Sequence, residues 1–209
     1  MIEDNTLHSF LVDLASAKPT PGGGSAAAVS GAMGAALISM VANLTIGKKG
    51  YEEIETEMRD QLSLSEQLRK TFISLIDEDI NTFNQLMSAY KLPKDSDEQK
   101  IERAATIQLK LKDATLAPLS IAKTALDGIL LAQRSAQHGN AMVISDAGVA
   151  VEMLLSALKS AALNVFINVP SIKDHTFKEV ALNDINELMK RGSSIAEQVF
   201  VTVKDKLQS

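Results

Sequence analysis

An acidic residue interrupts an apolar stripe near the middle of the chain. Residues 52–90 contain neither proline nor glycine, and large apolar side chains recur there at steps of three and four, as on one face of a helix. The stripe comprises Phe72, Ile76, Phe83, Leu86 and Tyr90. Asp79 occupies the position between Ile76 and Phe83 on this face, where a leucine is expected. It is either a structural carboxylate hydrogen-bonded to another helix or a desolvated acid suited to proton transfer.

A glycine-rich stretch could bring a ligand close to the backbone. The segment "PTPGGGSAAAVSGAMG", residues 19–34, places three glycines before a run of alanine, serine and glycine. Gly22, Gly23 and Gly24 predict a loop, and Ser25 is expected to cap the helix that follows. Free N–H groups at a helix start favour anions and polar ligand edges. A turn required only to pack two helices explains the same residues.

Polar side chains mark both ends of a later stripe of small residues. Asn164 and Asn168 lie one helical turn apart, so they either tie helices together or present amide groups to a flat polar ligand. Asn140 and Asp146 flank the predicted start of the same helix, where capping explains them equally well.

The remaining pattern predicts the elements that position these residues. Helical spacing and breakers give six segments: from Asn5 or Thr6 to about residue 17, then 25–46, 52–90, 97–137 with Pro118 as a kink, 145–168 and 174–207. Ser96 and Gln99 have capping-box spacing, and Gly139 is a plausible helix end. No long stretch alternates with period two. The sequence therefore predicts an all-α bundle of about six helices in a single domain, residues 1–209.

Composition argues against several functional classes. A net charge of −5 with scattered lysines gives no basic field for nucleic acid. The sequence has no cysteine, and its three histidines lack partners at ligand spacing, so no metal site is expected. Neither a nucleophile elbow nor a Walker A or dinucleotide motif is present in the sequence.

A cytoplasmic location without a membrane span is expected. Residues 26–46 are long enough to cross a bilayer, but they are rich in alanine and include Ser39 and Asn43, which favours a buried helix. The lack of cysteine and of a charged, then apolar leader favours the reducing cytoplasm.

Three longer segments carry a family resemblance. They are "PTPGGGSAAAVSGAMGAALISMVANLTIGKKGYE", "DEDINTFNQLMSAYKLPK" and "GNAMVISDAGVAVEMLLSALKSAALNVFINV". Together they resemble the formiminotetrahydrofolate cyclodeaminase family, which includes related bacterial methenyltetrahydrofolate cyclohydrolases. The resemblance implies an all-helical homodimer whose substrate is a reduced folate and which needs no cofactor. Animals fuse this domain behind a formiminotransferase, for which 209 residues leave no room, so the free-standing bacterial form is expected.

The resemblance also implies roles for particular residues. The family's proposed catalytic acid falls on Asp79. The substrate-binding set falls on Gly22, Gly23, Gly24, Ser25, Lys48, Lys49, Lys94, Arg103, Asn140, Asp146, Asn164 and Asn168. Lys48 and Lys49 replace arginines of the animal domain and could meet the anionic glutamate tail of folate. Exposed lysines at a helix end explain them equally well. Thr82 replaces the usual alanine, and neither departure removes a functional residue type.

The expected reaction closes a ring. N10 of the folate attacks the formimino carbon on N5, and ammonia leaves to give 5,10-methenyltetrahydrofolate. One carboxyl group that cycles between its two protonation states, here Asp79, can serve both proton transfers. In the alternative, water opens the methenyl ring to 10-formyltetrahydrofolate. A second alternative is a non-catalytic bundle that binds folate or another protein.

Overall fold

The computed structural model describes residues 6–208, and the regular structure in that range is entirely helical. The helices are α1 Leu7–Leu14, α2 Gly23–Asn43, α3 Glu55–Tyr90, α4 Asp97–His138, α5 Ile144–Asn168 and α6 His175–Gln208. Short 3₁₀ turns, Glu52–Ile54, Ala141–Val143 and Val169–Ser171, lead into α3 and α5 and out of α5. The all-α prediction with six helices is confirmed, whereas the single-domain extent stays a prediction.

Small residues let the central helices approach closely. α5 packs against α2, α4 and α6, while α2 also packs against α3. A Cβ added to Gly31 of α2 would lie 2.5 Å from Cζ of the Phe72 ring of α3 and closer still to Cε1, and one added to Gly34 would lie 2.6 Å from Cγ of Leu154 of α5. Both large side chains are fully buried. The glycines therefore make room for core side chains, as the small-residue pattern predicts.

Most predicted helix ends agree with the structure. Ser96 and Gln99 form the expected capping box, and the N–H of Gly139 closes α4 on the carbonyl of Ser135. Thr6 caps α1 by accepting a hydrogen bond from the N–H of Ser9, while Asn5, the other predicted cap, lies outside the described residues. α1 ends at Leu14 rather than near residue 17.

Three helical segments are long and apolar enough to cross a membrane by length and composition alone. They are Gly23–Asn43, Asp97–His138 and Ala141–Ser171. In the bundle, 56%, 67% and 44% of the most apolar stretch of these segments, in that order, is buried inside the protein. The protein itself therefore covers much of this apolar surface. The absence of a membrane partner stays a prediction.

Candidate active site

Asp79 lies against the first turn of α2. α2 and α3 run antiparallel, which brings the start of α2 beside the second half of α3. The Ser25 hydroxyl donates a hydrogen bond of 2.8 Å to Oδ2 of Asp79. Ser25 is fully buried, whereas Asp79 is only half-buried. This arrangement holds the carboxylate at the edge of the core, where a ligand can reach it.

The predicted N-cap role of Ser25 is wrong. α2 begins two residues earlier, at Gly23, and the extended backbone of Gly22 occupies the cap position. Ser25 is therefore the third residue of the helix, and its hydroxyl faces α3 instead of closing the helix end. The serine acts on the carboxylate, not as a cap for α2.

Gly24 is the residue that allows the carboxylate to sit so close to the helix. A Cβ added there would lie 2.6 Å from Cγ and 2.9 Å from Oδ2 of Asp79, and closer still to Oδ1. Real Cβ atoms do not tolerate such distances, so a larger residue would displace the carboxylate or the helix start. The contact with Asp79 therefore explains why position 24 is a glycine. At Gly22, by contrast, an added Cβ would have no atom within 4 Å.

Burial raises the pKa of Asp79 above the ordinary aspartate value, because the charged form loses hydration at the edge of the core. Hydrogen bonds from the hydroxyl and then the backbone of Ser25 act in the opposite direction and lower the pKa, but burial dominates. A carboxyl group with increased proton affinity can both accept and return a proton during one reaction cycle. The geometry therefore favours the acid–base hypothesis for Asp79.

Asn164 closes the site from α5. A Cβ added to Gly23 would lie 3.5 Å from both terminal atoms of the Asn164 amide. Its Nδ2 donates to the carbonyl of Ser160 at 2.8 Å, and within residues 6–208 its Oδ1 has no hydrogen-bond partner. Gly23, Gly24, Ser25, Asp79 and Asn164 thus meet at one place, with a free amide oxygen available to a ligand.

Asn168 lies one turn further along α5 and has a structural partner. Its Nδ2 donates to the carbonyl of Ala114 at 2.7 Å, which ties α5 to α4. The contact supports the interpretation that this residue joins neighbouring helices, and its binding role stays a prediction.

A second group of predicted residues lies at the opposite end of α2. Asn140 is buried and uses both ends of its amide, donating to the carbonyl of Leu44 at 2.8 Å and accepting from the N–H of Met142. Lys48 and Lys49 are exposed in the turn after α2, and Asp146 is half-buried in the first turn of α5. Since α2 has 21 residues, this group lies about 30 Å from Asp79 within one chain.

Lys94 and Arg103 occupy a third place, beyond the end of α3. Lys94 is exposed between α3 and α4. Arg103 donates to the carbonyl of Tyr90 at 3.0 Å and so closes the C-terminal end of α3. Its Nε is buried without a partner among the described residues. The structure therefore does not bring the whole predicted set into one cavity.

Sequence reasoning missed a polar network between α2 and α3. The Ser39 hydroxyl donates to Oε1 of Glu66 at 2.8 Å and lies 2.8 Å from the hydroxyl of Ser65. Arg69 donates to both carboxylate oxygens of Glu66, at 3.2 and 2.6 Å. The available signal was the three-residue spacing of Glu66 and Arg69 on a helix, which surface pairs share.

Removing the Ser25 hydroxyl tests its control over Asp79. Ser25→Ala deletes a hydrogen bond that favours the charged carboxylate, so the pKa of Asp79 is expected to rise further. The acid limb of kcat/KM against pH should then move to higher pH. Ser30→Ala is the matched control, because the Ser30 hydroxyl on the same helix bonds to the carbonyl of Met153 instead. Identical pH profiles for Ser25→Ala and the unmodified protein would contradict this role.

The fold is an all-helical bundle that holds a half-buried carboxylate of raised pKa against a helix start, which makes this place a candidate acid–base site. The chain belongs to the formiminotransferase-cyclodeaminase family, whose family model matches residues 6–187. Its named relatives are enzymes of folate-dependent one-carbon chemistry, which confirms the resemblance seen in the three sequence segments.

Individual relatives define the similarity further. The chain is 48% identical to the methenyltetrahydrofolate cyclohydrolase of Methylorubrum extorquens, over 99% of this chain and 100% of that protein. It is 33% identical to the formimidoyltransferase-cyclodeaminase of Rattus norvegicus, over 94% of this chain but 36% of that protein. The crystal structure of formiminotetrahydrofolate cyclodeaminase from Thermotoga maritima superimposes with a TM-score of 0.85 at 32% identity. That match covers 100% of this chain and 98% of the other.

Proposed function

We propose that this protein is a methenyltetrahydrofolate cyclohydrolase, with formiminotetrahydrofolate cyclodeaminase as the second candidate activity. Cyclodeamination is the first expectation from the sequence and hydrolysis the alternative. The 48% identity to a cyclohydrolase along its full length supports giving hydrolysis the first place. Both reactions form and break bonds at the carbon between N5 and N10, so one site can serve either.

The observation that carries the proposal is the position and environment of Asp79. In hydrolysis, water adds to the cationic methenyl carbon and loses a proton to the Asp79 carboxylate. The hydroxyl group on the tetrahedral carbon then loses its proton to solvent as the C=O bond forms and the C–N5 bond breaks. N5 takes a proton as it leaves, and the formyl group stays on N10. Asp79 can return the proton it accepted, so a single carboxyl group of raised pKa serves both transfers.

Cyclodeamination uses the same carboxyl group in a different order. N10 attacks the carbon of the protonated formimino group on N5 and loses its proton to Asp79, which returns the proton to the departing nitrogen as ammonia leaves. The similarity to the Thermotoga maritima cyclodeaminase supports this candidate. In both reactions the free amide oxygen of Asn164 and the first N–H groups of α2 are placed to orient the ligand.

Absorbance of the methenyl chromophore separates the candidates. The purified protein is mixed with 5,10-methenyltetrahydrofolate and, separately, with 5-formiminotetrahydrofolate, and heat-denatured protein gives the uncatalysed rate. Faster loss of the chromophore from the first substrate supports cyclohydrolase, and its appearance from the second supports cyclodeaminase. No change with either substrate, from folded protein, would support the non-catalytic folate-binding or interaction bundle instead.

A homodimer is the second part of the proposal. α2 carries no charged residue in 21 positions, yet it exposes Met40. The neighbouring α5 exposes Leu163 and Ile167, at 68% and 75% of their surface. Apolar surface of this extent favours association with a second copy.

A charge on this surface tests the dimer. Met40→Glu is expected to convert a particle of about twice the chain's 22.4 kDa into a monomer, because the interface would bury an unpaired carboxylate. Light scattering on a sizing column measures the mass. Val180→Glu, at an exposed apolar residue of α6, is the control. A monomeric unmodified protein, or one that needs detergent to stay dispersed, would contradict the proposal.

A further inference from the structure

A groove runs along α3 away from Asp79. It lies between α1, α2 and α3, has a volume of about 340 Å³, and is lined by Phe10, Val29, Met33, Ile73 and Ile76, with Arg69 among its walls. Ile76 is three residues from Asp79 on α3, and Val29 is four residues from Ser25 on α2. The groove therefore begins about one helical turn from the candidate active site.

Arg69 is held in the groove wall by the polar network between α2 and α3. The buried Ser39 and the guanidinium of Arg69 both donate to the carboxylate of Glu66, and the buried Ser65 lies within hydrogen-bond distance of Ser39. The hydrogen bond from Arg69 and then that from Ser39 keep the pKa of Glu66 below its ordinary value, so the carboxylate stays charged. A charged, fixed partner restrains an arginine that would otherwise extend into solvent.

The guanidinium keeps free hydrogen-bonding capacity. Two of its five N–H donors are used by Glu66, which leaves three for another acceptor. Arginine presents such donors in a planar fork that matches a carboxylate. Arg59 on the same helix makes the same kind of pair with Glu55, but it does not line the groove.

We propose that this groove is a second substrate subsite, in which the apolar walls hold the aminobenzoyl ring of a folate and Arg69 binds its glutamate carboxylate. The assignment rests on the proposed folate activity. Asp79 and Arg69 are ten residues apart, which is about 15 Å along α3. From standard bond lengths, the arm from N10 to the glutamate carboxylates measures about 10 Å, and the arginine side chain covers the remaining distance.

Position favours Arg69 over the lysines that the sequence singled out. Lys48 and Lys49 follow the far end of α2, about 30 Å from Asp79 in the same chain. A folate with one glutamate cannot span that distance from a reacting carbon at Asp79. Within one chain, the groove instead offers a continuous apolar path that ends at a preoriented cation.

Equilibrium binding of a stable folate tests the subsite. Titration calorimetry compares 5-formyltetrahydrofolate with 5-formyltetrahydropteroate, which lacks the glutamate, for the unmodified protein, Arg69→Gln and the matched control Arg59→Gln. Arg69→Gln is expected to weaken binding of the glutamate form by about tenfold to a hundredfold, the usual effect of a hydrogen bond to a charged group. It should leave the affinity for the pteroate unchanged, and Arg59→Gln should behave like the unmodified protein for both.

Each of the other outcomes contradicts either the subsite or the proposed function. Equal weakening of both ligands by Arg69→Gln, or an unchanged affinity for the glutamate form, overturns the subsite. The subsite is also overturned if the Lys48→Gln, Lys49→Gln double variant no longer binds the glutamate form more tightly than the pteroate while Arg69→Gln still does. A lower mass of the particle with unchanged folate affinity would assign the groove to a second copy of the chain and overturn the proposal. Glutamate-dependent binding without turnover of either substrate would leave the subsite standing and reject the proposed function.

Discussion

Asp79→Asn is expected to slow turnover by about two to four orders of magnitude and to preserve the fold. Asparagine keeps the shape of the side chain and can still accept the hydrogen bond from Ser25, but it cannot carry the proton. General acid–base catalysis contributes about 10²- to 10⁴-fold, so kcat should fall by that factor with KM nearly unchanged. Steady-state kinetics on the methenyl substrate measures both constants.

The raised pKa of Asp79 determines whether Asp79→Asn stabilises or destabilises the protein at a given pH. Because burial raises the pKa of Asp79, the folded protein binds this proton more tightly than the unfolded chain does. The free energy of unfolding therefore falls as pH rises from the ordinary aspartate value through the raised pKa. Asparagine avoids this loss. The variant should be at least as stable as the unmodified protein at neutral pH, with an advantage that shrinks as pH falls through the raised pKa.

Glu78→Gln provides the matched control for Asp79→Asn. Glu78 is the next residue on the same helix and is exposed, so its neutralisation should change neither kcat nor thermal stability by much. A folded Asp79→Asn protein with normal turnover would rule out the catalytic assignment. A strongly destabilised variant would mean that Asp79 is a structural carboxylate, the other hypothesis that the sequence leaves open.

Gly24→Ala is expected to damage the site through geometry alone. The added methyl group would occupy the position of the Asp79 carboxylate, whose Cγ lies 2.6 Å from the built Cβ. Displacement of a catalytic group by about 1 Å costs about 10²-fold in rate, and overpacking at a close contact costs about 1–3 kcal/mol of stability. We therefore expect kcat to fall by about 10²-fold and the unfolding temperature to drop.

Gly22→Ala is the matched control for stability. An added Cβ there has no neighbour within 4 Å, and the backbone of Gly22 is extended, which any residue adopts. Its unfolding temperature should match that of the unmodified protein. If Gly24→Ala retains full activity and the same unfolding temperature, the close approach of Gly24 to Asp79 contributes neither to catalysis nor to stability.

The sequence predicts the helices well because their signals are local. The uninterrupted pattern of residues 52–90 corresponds to α3, and the capping-box residues begin α4. Local signals do not fix which partner a polar side chain finds. Ser25 has a typical N-cap residue type, but the helix begins at Gly23 and the hydroxyl bonds to a residue 54 positions away. Such a partner depends on the packing of α2 against α3.

The same limit applies to the candidate site. The misfit of Asp79 on an apolar stripe identifies a residue, and the structure adds Gly23, Gly24, Ser25 and Asn164 around it. A resemblance transfers residue identities but no distances, so it could not separate this group from the lysines about 30 Å away. The role of Arg69 also depends on packing, because the groove it lines exists only once three helices come together.

The most direct test of the account is the crystal structure of this protein with 5-formyltetrahydrofolate bound. We expect N5 and N10 to lie at Asp79, with the one-carbon group within hydrogen-bond distance of its carboxylate and of the start of α2. The benzoylglutamate arm is expected to follow the groove to Arg69. A folate bound with its one-carbon group away from Asp79, for instance beside Lys48 and Lys49 of the same chain, would contradict it.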